Sequence, residues 1–101
     1  MSKVTTFNTD KVPRGNLFIP QATIASNLIF VSGTVGVDPH TGKLISDDFE
    51  EQTRQAFFNI KTILEEAGSN LQKVAKTTVM MVSGMDPTFA AVNKVYAEFF
   101  S

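Results

Sequence analysis

Between residues 17 and 33 the apolar positions fall in short dense runs separated by turn formers. Leu17-Phe18-Ile19 stops at Pro20, and Ala22-Thr23-Ile24 runs into Ala25-Ser26-Asn27. Leu28-Ile29-Phe30-Val31 then leads through Ser32 to Gly33. Runs of β-branched and aromatic residues, bounded by such punctuation, predict strands. The unbroken apolarity of 28–31 predicts a strand covered on both faces. Asp38-Pro39-His40-Thr41-Gly42 predicts a turn, because proline presets one φ angle and glycine accepts a positive one. Lys43-Leu44-Ile45 reads as a short extended piece after it.

From residue 48 the period lengthens. Asp48 and Glu51 stand at capping-box spacing. Phe49, Ala56, Phe57, Ile60, Ile63, Leu64 and Ala67 then recur in steps of three and four, the stripe of an amphipathic helix. Gly68 is a fitting C-terminal stop. Residues 76–82, Lys-Thr-Thr-Val-Met-Met-Val, predict another strand. A second helix opens at Asp86 as cap with Pro87 in its first position, and Phe89, Val92, Tyr96 and Phe99 form its stripe. Strands followed by helix, strand and helix predict an α+β domain over residues 1–101. Two large helical stripes over so few strands leave the sheet short, and a further hairpin after the second helix would complete it.

Composition narrows the chemistry. The chain has 101 residues, a net charge of −1, 43% hydrophobic residues and no cysteine. The charge argues against nucleic-acid and anionic-membrane partners. The absence of cysteine removes disulfides, thiolate metal sites and cysteine nucleophiles. No apolar run approaches the roughly 20 residues of a membrane span, and the amino terminus has no targeting pattern, so a cytoplasmic protein is expected, a mitochondrial one less so.

Three blocks in order carry a resemblance. Leu28-Ile29-Phe30-Val31-Ser32-Gly33, continuing to the turn at 38–42, is the first. Asn59-Ile60-Lys61-Thr62-Ile63-Leu64-Glu65-Glu66-Ala67-Gly68, continuing to Val79, is the second. The third is Phe89-Ala90-Ala91-Val92-Asn93-Lys94-Val95-Tyr96-Ala97-Glu98-Phe99-Phe100. Together, from about Asn16 onward, they resemble the RidA/YjgF family. The resemblance implies a chorismate-mutase-like α+β fold: a mixed sheet with two helices on one face, here without its last hairpin. It also implies a homotrimer with sites between subunits. The activity implied is cofactor-free, metal-free hydrolysis of enamines and imines, such as 2-iminobutanoate and 2-iminopropanoate, to 2-keto acids and ammonia.

Carried over residue by residue, the resemblance makes Ser32, Gly33 and Asn93 substrate-site candidates. Ile19 stands where the family commonly has a tyrosine. The family's catalytic arginine, which grips the substrate carboxylate, and its late glutamate would fall beyond Ser101. The catalytic residues are therefore unassigned. An inactive relative serving as a small-molecule-binding or oligomerisation module is the alternative, and an RNA-directed role is disfavoured by the charge. A cation beside Ser32 would favour the enzyme, and Arg14 is one that the family pattern does not place there. The bland readings go to other residues. His40 is a turn residue. Asp47, Asp48, Glu50 and Glu51 suit a helix start. Gly33 and Gly36 lack the third glycine of a dinucleotide fingerprint. Met80, Met81 and Met85 fill apolar space.

Overall fold

The structure is a computed structural model that describes residues 3–100. Three antiparallel strands, β1 (Thr5–Phe7), β2 (Ala22–Ala25) and β3 (Leu28–Val31), form one sheet in chain order. β2 and β3 are joined by Ser26 and Asn27, whose φ angles of 50° and 67° suit the two-residue hairpin turn that matches strand twist. β1 is a strand that the apolar pattern did not announce. Residues 17–19, expected to be extended, form a turn instead: the Asn16 carboxamide accepts from Phe18 N at 2.9 Å and its carbonyl accepts from Ile19 N at 3.2 Å. Phe18 is left 96% exposed. A local side-chain hydrogen bond here outcompetes strand propensity.

Helix α1 (Phe49–Glu66) starts where expected. Asp48 Oδ2 accepts from Glu51 N at 2.9 Å, while Ser46 Oγ, rather than Glu51, takes the Asp48 N–H at 3.1 Å. Gly68 closes the helix with a φ of 90°. A short 3₁₀ turn, Leu71–Lys73, follows, and helix α2 (Ala90–Phe100) ends the described chain. α2 begins three residues later than its proline suggests. Asp86 still caps it, accepting from Ala91 N and Val92 N at 3.2 and 3.0 Å. Phe89, with a φ of 59°, lies outside the helix and is exposed. The stripe that α2 buries is Val92 and Val95, with Tyr96 at its edge.

α1 packs against both other layers. Ile63 joins Val12 and Ala22 in the core, with Phe7, Ile29 and Val31 against them. On another side Phe57 meets the rings of Tyr96, Phe99 and Phe100 at centroid distances of 5.6–5.8 Å. Arg54 adds a polar seam, reaching Glu98 at 2.7 Å and Glu50 at 3.0 Å, with Lys94 also on Glu50 at 3.2 Å.

Two expectations about the sheet change. Residues 75–81 take no regular secondary structure and join no ladder; among the described residues their one polar tie is Thr77 Oγ1 to the Tyr96 hydroxyl at 3.3 Å. The paired strands are thus purely antiparallel, not mixed. β3 is covered on one face only, since Leu28 and Phe30 are 59% and 55% exposed. Its outer edge is open too. The bond from Ser32 N to Gln21 O (2.9 Å) fixes the alternation, so Leu28 and Phe30 turn their backbone groups to β2 and Ile29 and Val31 turn theirs away. Between that edge and residues 73–80 lies a cavity of about 990 Å³.

Two outcomes follow. Ile63→Ala lowers unfolding free energy by about 2–5 kcal/mol and Ile63→Val by about 0.5–1.5 kcal/mol, read by urea denaturation. The hydrogen bond from Arg54 holds the Glu98 carboxyl below its ordinary 4.5. For Glu50 the Arg54 bond and then the Lys94 bond do the same. A folded-state value below the unfolded one stabilises above pH 4.5 and is lost as pH falls through the folded value. Glu98→Gln therefore flattens the fall in the urea midpoint between about pH 6 and about pH 3.

Candidate functional site

The segment after β3 is held by three sets of hydrogen bonds. Ser32 Oγ donates to Pro20 O at 2.7 Å, and Thr34 Oγ1 donates to Ser32 O at 2.9 Å. Asn59, fully buried on α1, donates from Nδ2 to Val35 O and Val37 O at 3.1 and 3.0 Å and accepts from Gln55 at 2.9 Å. Gly36 lies so close to α1 that a Cβ there would run into the Gln52 backbone. Glycine is required at that approach.

Residues 32–35 line two cavities, the large one beside β3 and a second of about 280 Å³. Into the second come Ile19, Ser32 and Gly33, three of the four site residues expected from sequence, together with Arg14 and Gln21. Space around Gly33 is open, with nothing within 4 Å of where a Cβ would stand. Asn93 sits exposed on α2 and lines neither cavity, so within one chain it is not brought to Ser32. Gln21, a neighbour of Ile19 in the same cavity, anchors this region. It accepts from Thr9 N and donates to Val12 O, both at 2.6 Å.

Met80 and Met85, expected to fill apolar space, are instead 84% and 47% exposed, whereas the turn and helix-start residues take structural roles. His40 N donates to Asp38 in an exposed turn, Asp48 caps α1, and Glu50 is tied to Arg54 and Lys94. Among the described residues no group of three histidine or acidic side chains is gathered for a metal, and no helix is long and apolar enough to cross a membrane.

The family description endoribonuclease L-PSP, the RidA/YjgF group, matches residues 16–101. The chain belongs to this family. A RutC family protein of Pyrococcus abyssi is 44% identical over 92 residues, 91% of this chain and 71% of its own. The rat protein named 2-iminobutanoate/2-iminopropanoate deaminase is 36% identical, over 92% of this chain and 66% of its own. The crystal structure of RidA from an Antarctic Psychrobacter superposes with a TM-score of 0.86 at 37% identity, over 96% of this chain and 76% of that one. Curated relatives are thus spanned over 49–71% of their length. The α+β architecture of the RidA/YjgF proteins is shared.

Asn59 is the site's buried support, and its removal has a specific signature. Asn59→Leu leaves the Val35 and Val37 carbonyls without their donor, at about 1–3 kcal/mol for each acceptor that water does not reach. The loss appears in urea denaturation, accompanied by shifted amide resonances at 33–37.

Proposed function

We propose that this protein is a RidA-type deaminase that hydrolyses small 2-imino acids, 2-iminopropanoate and 2-iminobutanoate among them, to 2-keto acid and ammonia. The observation that carries the reading is the identity to the rat and human proteins bearing that activity in their names, at 36% and 38%. The open cavity beside Ser32, Gly33 and Ile19 supports it. Water adds to the carbon of the protonated C=N bond, and the resulting carbinolamine expels ammonia as its hydroxyl loses a proton and becomes the ketone. Nothing is oxidised or reduced, so the step calls for positioning and charge stabilisation rather than a cofactor.

Homotrimeric assembly belongs to the same proposal. The bare Leu28 and Phe30 and the open edge of β3 favour association. Contact between copies would also let Asn93 of one chain approach Ser32 of another. On this reading sedimentation at micromolar concentration gives an oligomer, and a well-folded monomer overturns it.

Activity is read in a coupled assay: a pyridoxal-phosphate dehydratase generates the imine, and semicarbazide competes for it. A form extended through the remaining length of the relatives, which carries the family's arginine and glutamate, outcompetes semicarbazide, whereas the 101-residue chain does so poorly. In the extended form Ser32→Ala and Asn93→Ala each lower kcat/KM by about tenfold or more, the loss of one charge-assisted or positioning hydrogen bond. No acceleration by the extended form sinks the deaminase reading.

A further inference from the structure

Two unpaired runs of backbone border the large cavity beside β3. Ile29 and Val31 turn their N–H and C=O groups away from β2, along one wall of it. Along the other wall, the backbone groups of residues 75–81 pair with no other segment among the described residues. Between the walls α1 contributes Phe57, Ile60 and Leu64 to the lining. At about 990 Å³ the space exceeds what a molecule of a few heavy atoms fills, since sites for small ligands run from roughly 300 to 1,000 Å³.

These features select one shape of occupant. Unpaired strand-edge groups are satisfied by an added strand, a recurring mode of peptide recognition. Strand side chains alternate between faces. A segment continuing the sheet past β3 therefore puts every second side chain on the face of Ile29 and Val31, which is the face that packs toward α1. Those positions must be apolar to match Phe57, Ile60 and Leu64.

Charge selects further. Lys73 and Lys76 are exposed in the lining, and no acidic side chain is there with them. Neither lysine has a carboxylate partner among the described residues. A second copy of this chain suits the space poorly, because its own unpaired segment, 75–81, carries Lys76 and no acidic residue.

We propose that this cavity is a strand-acceptor groove for an extended segment of a different polypeptide, apolar at alternate positions and acidic at the end beside Lys73 and Lys76. Its backbone pairs with Ile29 and Val31. The groove is independent of the deaminase reading, since no step of imine hydrolysis uses it.

The probe is the capped, fluorescently labelled peptide Glu-Val-Thr-Val-Thr-Val-Glu, with an acid at each end so that strand direction does not matter. Followed by anisotropy, it binds about tenfold more tightly than the same peptide with lysine at both ends. Lys73→Glu combined with Lys76→Glu reverses that preference, and both positions are exposed, so the fold is not at stake. N-methylation of alternate peptide amides abolishes binding, because it removes strand donors. In the unaltered protein the Ile29 and Val31 amides exchange freely with solvent and become protected at saturating peptide. Equal affinity for the acidic and lysine-ended peptides overturns the proposal, as does free exchange of those two amides in the complex. Protection of the same amides without peptide, rising with protein concentration, gives the groove to a second copy and overturns it too.

Discussion

Helix α1 has three neighbours and one circumference to offer them. Ile63 faces the sheet, Phe57 faces α2, and Asn59 reaches the segment that leaves β3. Since residues on a helix share a face only at steps of three or four, these demands cannot shift independently. Turning α1 enough to bury Phe57 more deeply would pull Asn59 away from the two carbonyls it serves. The buried amide therefore fixes the helix in rotation as well as holding the turn, and Gly36 sets how near the two can come.

That arrangement leaves one side of the sheet unfinished in a definite way. Ile29 and Val31 present backbone groups outward from β3, and the backbone groups of residues 75–81 pair with no other segment among the described residues. Both border the same large cavity. An extended segment lying between them would find partners on both sides, as a central strand does. Until something does, each edge is a template for intermolecular pairing.

Sequence periodicity located what local rules decide. α1 was legible to its first and last residues because its cap, stripe and glycine agree. β2 and β3 were legible from β-branched runs and the Ser26-Asn27 turn. What escaped depended on distant partners. Residues 76–82 have the composition of a strand, but a strand also needs a neighbour, and none of the described segments reaches them. Residues 17–19 are as apolar as β3, yet Asn16 and Arg14 hold them in a turn. At the site, Ser32, Gly33 and Ile19 were found through family resemblance, whereas Arg14 joined them only in three dimensions. Asn59 was visible only as part of a motif, because no periodicity marks an asparagine in an apolar stripe as buried.

The two unusual features of the surface bear on one another. Leu28 and Phe30 lie on the bare face of β3, while its open edge and the turn at 32–35 border the cavities. A copy docking over that face would remove apolar surface from water, which favours association in proportion to the area covered. It would also lower the effective dielectric around residues 32–35. There any polar contact to a bound ligand strengthens, since Coulomb energy scales inversely with dielectric. Self-association and ligand affinity at residues 32–35 are then linked: whichever ligand binds the assembled form better must, by mass action, promote assembly. The exposed apolar face of β3 and the cavities beside it are on this account two halves of one binding equilibrium.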